Sequence, residues 1–192
     1  MIYKICSLLI MAIFYSFYIG KIIIQKRQSI KTNQMGKGSK AKKVLIIEKI
    51  MSVATVLTII IEVISILLIR THNITWLKII GLIIGMISCI FFSSAIICMK
   101  TSWRVGIPEE KTNIITSGIY KISRNPAFVG FDLLYISILL IFFNIPLLIV
   151  SIWAFVMLHL QILQEEKWLK ETFKEEYITY SNKVRRYFGR KI

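Results

Sequence analysis

The chain has 192 residues, 56% of them hydrophobic and only 18% charged, with a mean hydropathy of +0.68. A soluble domain of this size must cover itself with polar surface and rarely exceeds half apolar, so a soluble enzyme, a secreted disulfide domain and a disordered tail are excluded in favour of an integral membrane protein. The formal net charge of +15 does not point to nucleic acid, because the basic residues sit at the ends of long apolar blocks, where they orient a polytopic chain.

A helix needs about 20 apolar residues to cross a hydrocarbon core roughly 30 Å thick. The first segment that qualifies is Ile5–Ile24. It is preceded by one positive charge, Lys4, and lacks a small-x-small cleavage site. It is therefore expected to be a retained span and not a signal peptide. Residues 25–43, with Gly36, Gly38 and Ser39, read as a basic flexible loop that anchors the topology and touches anionic headgroups. Ile50–Ile69 and Ile79–Met99 are the second and third expected spans. Cys6, Cys89 and Cys98 all lie in apolar runs without metal-ligand spacing, so they read as small buried side chains and no metal is expected.

Pro126–Phe143 and Pro146–Leu163 are shorter, and only Asn144 and Ile145 separate them. They are expected to form a tight helical hairpin, with Pro146 tolerated at the helix start. Residues 161–180 contain no Gly or Pro, and Leu169, Phe173, Tyr177 and Tyr180 fall on one helical face. This helix is expected to continue the fifth span and fold back over the membrane surface. Lys183, Arg185, Arg186, Arg190 and Lys191 then form a basic end suited to anionic headgroups. The expected fold is all-α and integral to the membrane: about five transmembrane helices and a cytoplasmic C-terminal amphipathic helix. Residues 1–99 hold three spans, and residues 100–192 are expected to form a catalytic half made of a loop, the hairpin 126–163 and the C-terminal helix.

The Lys/Arg census sets an expected orientation. Residues 25–43 contain seven, residues 100–125 five and residues 164–192 eight, against three in residues 1–4, 70–78 and 144–145. The positive-inside rule puts the N-terminus outside and the basic segments in the cytoplasm.

Two segments carry candidate chemistry. The loop before the fourth span reads Thr116-Ser-Gly-Ile-Tyr-Lys-Ile-Ser-Arg-Asn-Pro-Ala-Phe-Val-Gly130. Gly118 permits a turn, Asn125 before proline should be extended, and Pro126 opens the helix. Free N–H groups of Ala127 and Phe128, with the helix dipole behind them and Arg124 beside them, make a ready site for a carboxylate or phosphate. Tyr120 and Phe128 are candidates to hold a planar ring, and an ordinary proline-capped loop is the alternative. The second segment is Glu165-Glu166 at the end of the fifth span, where paired carboxylates are either solvated, paired with neighbours such as Lys170, or aimed at a cationic or hydroxyl-bearing ligand.

Gly118-x-Tyr120-x-x-x-Arg124-Asn125-Pro126-x-Phe128-x-Gly130, followed by Glu165-Glu166-x-x-Leu169-x-x-x-Phe173-x-Glu175-Glu176-Tyr177-x-x-Tyr180, resembles the isoprenylcysteine carboxyl methyltransferase family. The wider group includes the phospholipid N-methyltransferases. Its usual form is G-x-Y-x-x-x-R-H-P-x-Y-x-G, then E-E-x-x-L-x-x-x-F-G-x-x-Y-x-x-Y. The resemblance implies an S-adenosyl-L-methionine site lined by Thr112, Asn113, Ile114, Ile115 and Tyr120, received at the helix start by Asn125, Pro126, Ala127 and Phe128, and contacted by Glu165. Three of the departures from it bear on the chemistry. Asn125 replaces a histidine and cannot carry a proton near neutral pH. Phe128 replaces a tyrosine, and Gln161 stands where the prenylcysteine enzymes place a substrate-facing arginine.

The resemblance implies methylation of a lipid-like or isoprenoid acceptor drawn from the membrane lipids, with a carboxyl group favoured and a phospholipid amine second. Arg124 is then the partner of the methionine carboxylate, and Gln161 faces the acceptor. A carboxylate nucleophile needs no base, whereas an amine must lose a proton first, for which Glu166 and His159 are candidates. Asp132 lies about 9 Å into the fourth span at 1.5 Å per residue. An ionisable group within a span suggests function, here contact with the acceptor or a helix–helix hydrogen bond, and Glu62 reads as an interhelical contact. The rival readings are a sterol-reductase-like NADPH enzyme and a non-enzymatic membrane scaffold.

Overall fold

A computed structural model describes residues 1–72, 74–110 and 112–191. Among the described residues five α-helices follow one another: α1 (Ile2–Arg27), α2 (Lys42–Leu68), α3 (Thr75–Met99), α4 (Pro126–Ile141) and α5 (Ile145–Lys183). Among the described residues there is no strand, only the isolated bridges Asn33–Val105 and Val184–Arg190. Four helices are long and apolar enough to cross a membrane, and α4 is a shorter apolar helix. At 16 residues it is about 24 Å long, less than the hydrocarbon thickness. The protein is an all-α integral membrane protein.

Chain reach and small side chains decide how the helices pack. α4 lies chiefly against α3, and α5 chiefly against α2. A Cβ added at Gly130 of α4 would stand 2.9 Å from Phe92 Cβ, and one at Gly81 of α3 only 2.6 Å from Ile141 Cγ1. Glycine at both places lets the two backbones approach, and Ser137 Oγ donates to the Gly81 carbonyl at 2.7 Å across the seam. Phe14, Phe92 and Phe131 form the aromatic centre of the bundle, with Phe14 stacked on Phe92 at 4.3 Å. The α4–α5 turn is held by Asn144, whose Oδ1 accepts from Leu147 N at 3.0 Å and whose Nδ2 donates to Ser65 Oγ at 2.9 Å.

Two expectations need correction. The segment between α1 and α2 is not a free basic loop, because its uncharged polar side chains find buried partners. Gln25 Nε2 donates to the Trp103 carbonyl at 3.1 Å, and Thr32 Oγ1 donates to Gln25 Oε1 at 2.8 Å. Gln34 N donates to the Val105 carbonyl at 2.9 Å. Buried Glu48 accepts from Gly36 N, Lys40 Nζ and Ile107 N, so it ties this segment to residues 104–110. The C-terminal aromatic stripe does not lie on the membrane surface either. Phe173, Tyr177 and Tyr180 are buried against Ala95 and Tyr120, a protein surface that packs more closely than headgroups would. α5 changes direction only at Lys174, where φ is +45°.

Of the polar residues within spans, Glu62 is fully buried with neither carboxylate oxygen hydrogen-bonded among the described residues. The three cysteines are half-buried and free.

Candidate active site

The chain reaches the start of α4 through a short turn, Gly118–Lys121, in which Gly118 has φ +60°. An added Cβ there would stand 2.5 Å from Cys98 Sγ, so the position requires glycine twice over, by conformation and by space. Tyr120 is buried, and its ring joins the cluster of Phe173, Tyr177 and Tyr180. The Tyr180 hydroxyl donates to the Tyr120 carbonyl at 2.7 Å. Burial, followed by the neighbouring Tyr180, pushes the Tyr120 phenol well above its ordinary range, so it stays protonated and serves as a neutral wall.

Asn125 stands at the N-cap of α4 without capping it. Its amide instead donates to Glu166 Oε1 at 3.1 Å and to the Arg186 carbonyl at 3.2 Å. Glu166 Oε1 also pairs with Arg124 Nη2 at 2.9 Å, and Oε2 accepts from Arg186 Nη2 at 2.8 Å and Nε at 3.1 Å. The Glu166 hydrogen bond, ahead of any other influence, raises the Arg186 pKa further. Four donor groups, two from the residues just before α4 and two from Arg186 of the C-terminal segment, thus converge on one carboxylate of α5. The C-terminal segment is laid on by backbone bonds: Arg124 N to the Arg185 carbonyl at 3.2 Å and Gly189 N to the Ile122 carbonyl at 2.8 Å.

One turn earlier on α5, Gln161 is fully buried and donates through Nε2 to Glu165 Oε1 at 3.0 Å. Gln161 Oε1 and both polar atoms of Gln164 are buried without a hydrogen bond among the described residues. Buried polar atoms are rarely left unpaired in a finished protein. A carboxylate and two unsatisfied amides together suit a ligand that carries hydroxyls and a positive charge. A cavity of about 350 Å³, lined by Gln164 and Trp168 with Lys40, Val44 and Pro108, reaches this stretch of α5.

Ile114, Ile115 and Ala127 pack on the Tyr120 cluster, as do Trp168 and Leu169. Thr112 is half-buried and Asn113 exposed. Phe128 belongs to a different cluster, with Met51, Tyr135 and Met157, so the structure does not gather it with Tyr120. Asp132 lines a separate groove of about 470 Å³ between α4 and α5, with Ile136, Phe155, Val156, His159 and Tyr187. Asp132 Oδ1 is buried and unpaired among the described residues, and His159 Nδ1 is hydrogen-bonded to the Tyr187 hydroxyl. The groove adjoins the Glu166 cluster through chain neighbours, Tyr187 beside Arg186 and Leu160 beside Gln161. Sequence reasoning did not place Arg186, Tyr187 or Gln164 here. Arg186 and Tyr187 lie in a basic run that reads as a headgroup anchor, and nothing local marks them as partners of α4.

A family model for phospholipid methyltransferases matches residues 76–176, more than half of the chain. The chain belongs to the phospholipid methyltransferase family. It is therefore an integral membrane methyltransferase of the lipid-directed group that also includes the isoprenylcysteine carboxyl methyltransferase-like proteins. The phospholipid methyltransferase match takes in α3, α4 and most of α5, with Arg124, Asn125, Glu165 and Glu166, and stops short of Arg186 and Tyr187. No curated protein matches the chain.

Proposed function

We propose that this chain uses S-adenosyl-L-methionine to methylate a lipid acceptor that stays in the bilayer, and that the acceptor group is a phospholipid amine. The catalytic half is residues 100–192, and the basic segments face the cytoplasm with the N-terminus outside. The cofactor is an electrophilic methyl donor with a carboxylate at one end and a ribose diol at the other. Glu165, Gln161 and Gln164 are the groups suited to its hydroxyls and cationic centre. Tyr120, Ile114 and Ile115 supply an apolar wall, with Thr112 and Asn113 at its edge. The N–H groups of Ala127 and Phe128 behind Pro126 are suited to a carboxylate.

In this reading Glu166 is a positioning residue: with both oxygens engaged by Asn125, Arg124 and Arg186, it fixes the α4–α5 junction and is not free to take a proton. Methyl transfer is an in-line displacement, so holding nucleophile and methyl together is the main demand on the protein. The observation that favours an amine is the unpaired Asp132 in the apolar α4–α5 groove. An acceptor carboxylate would meet a like charge there, whereas an ammonium headgroup would be paired. The nitrogen must lose its proton before its lone pair can attack, and Asp132 and His159 are the groove groups able to accept one. Carboxyl O-methylation is the second reading. It is favoured by the engagement of Glu166, because a carboxylate nucleophile needs no base.

The deciding experiment incubates the protein in nanodiscs with methyl-labelled S-adenosylmethionine and either phosphatidylethanolamine or a prenylated cysteine, then treats the organic extract with alkali. Label that stays non-volatile identifies an N-methyl product, and label released as volatile methanol identifies an ester. If neither acceptor is labelled and S-adenosylmethionine fails to bind folded protein, the reading fails; saturable NADPH binding in its place would turn it toward a reductase.

A further inference from the structure

A cavity of about 1120 Å³ opens on the basic side between the end of α1, residues 29–37 and residues 104–110. None of the candidate active-site residues lines it, and its walls from α1 and residues 29–37 lie outside the family match, whereas the wall of residues 104–110 lies within it. Its walls are held by the fixed interactions of the α1–α2 segment. Gln25 bonds to Trp103 and Thr32, the Thr32–Gln34 backbone pairs with Val105, and Gln34 Oε1 accepts from Glu109 N at 2.9 Å. The cavity is thus built by the fold and is not a gap between loose loops.

Its charges are unevenly satisfied. Both lining acids already have partners: Glu110 takes Arg104 Nη2 at 2.6 Å, and Glu109 accepts from Ser39 N at 2.9 Å. Of the four cations, Arg104 has a side chain only 9% exposed; its Nη1 donates to the Thr101 and Trp103 carbonyls, and only its buried Nε is without a hydrogen bond among the described residues. Lys37 reaches only the Asn33 carbonyl, at 3.5 Å. The side-chain ammonium groups of Lys26 and Lys31 have no hydrogen-bond or ion-pair partner among the described residues. Ile22, one turn before Lys26 on α1, and Ile30 add apolar lining. Lysines without an acidic partner among the described residues, beside apolar side chains at the end of a span, match an amphiphile with an anionic head. The volume is at the upper end of small-ligand sites, too large for a bare phosphate and ample for a headgroup with its glycerol.

We propose that this cavity is a binding site for the phosphate of an anionic phospholipid headgroup, held by Lys31, Lys37 and Arg104 with Ile22 and Ile30 against the first part of the acyl chains. It is distinct from the site of methyl transfer. Occupancy would stabilise the folded chain by mass action, which supplies the readout.

The test measures the thermal unfolding midpoint of the full chain in neutral detergent as short-chain phosphatidylglycerol, short-chain phosphatidylcholine or inorganic phosphate is added. Phosphatidylglycerol is expected to raise the midpoint saturably and phosphatidylcholine to leave it unchanged. Inorganic phosphate matching the lipid's effect at equal concentration would make the ligand a soluble phosphate, against the lipid assignment. K31A/K37A is expected to lose most of the shift while binding S-adenosylmethionine as the parent does. K42A/K43A removes two exposed lysines that do not line the cavity and should keep the shift. Equal shifts with both lipids, an undiminished shift in K31A/K37A, or an equal loss in K42A/K43A would each overturn the proposal, the last by reducing the effect to general basic charge.

Discussion

Glu166 shows how much of the site depends on one side chain. Its carboxylate is the only anion facing Arg124 and Arg186 among the ion pairs described, so Glu166→Gln leaves two neighbouring guanidinium groups without a counter-charge. Stability should fall by about 2–3 kcal/mol, read as a lower denaturation midpoint, and an unchanged midpoint would show that the cluster does not hold the junction. Glu165 makes the opposite prediction. It has one hydrogen bond, to Gln161, so Glu165→Gln should leave the midpoint unchanged while weakening S-adenosylmethionine binding by about 10–100-fold, the worth of a charge-assisted hydrogen bond. Calorimetric titration distinguishes the outcomes, and undiminished affinity removes Glu165 from the site.

At the scale of elements, α5 carries a local cost that the sequence motif already hints at. Lys174 occupies the position where the resembled pattern has glycine, and it has φ +45°, a conformation that disfavours a side chain by about 1–2 kcal/mol. Lys174 is exposed, so Lys174→Gly removes that cost without opening a cavity and should raise the unfolding midpoint; a lower midpoint would mean that the bend is not strained. The helices themselves were legible, because long apolar runs with flanking charges have few alternatives and Pro126 is a strong start signal. Motif spacing singles out Tyr120, Asn125 and Glu165 as candidates for the cofactor site. The order between α1 and α2 was not legible, since it depends on Gln25, Thr32 and Gln34 meeting residues 100–109, contacts that no local period records. Arg186 was missed for the same reason: a basic residue near anionic lipid and one paired with Glu166 look alike until the chain is folded.

For the whole molecule, the proposed sidedness rests on the charge distribution and can be measured. Ser39 lies in the basic segment between α1 and α2, while Ile74 lies just before α3 and is 46% exposed. In a background lacking Cys6, Cys89 and Cys98, Ser39→Cys should react with an impermeant maleimide in inverted vesicles and Ile74→Cys in right-side-out cells; the reverse pattern would invert the proposed topology. The α4–α5 groove has a consequence for kinetics. Val156, 51% exposed, lines the groove and shares a face of α5 with Ile149 and Ile152, which are also exposed, so the groove borders the surface that meets lipid tails. An acceptor entering there is captured by sliding in two dimensions and never crosses water. Turnover should therefore follow the acceptor's mole fraction in the surface, not its amount per litre. Diluting the acceptor with inert detergent at fixed bulk concentration should slow the reaction, and a rate indifferent to that dilution would send the acceptor in by another door.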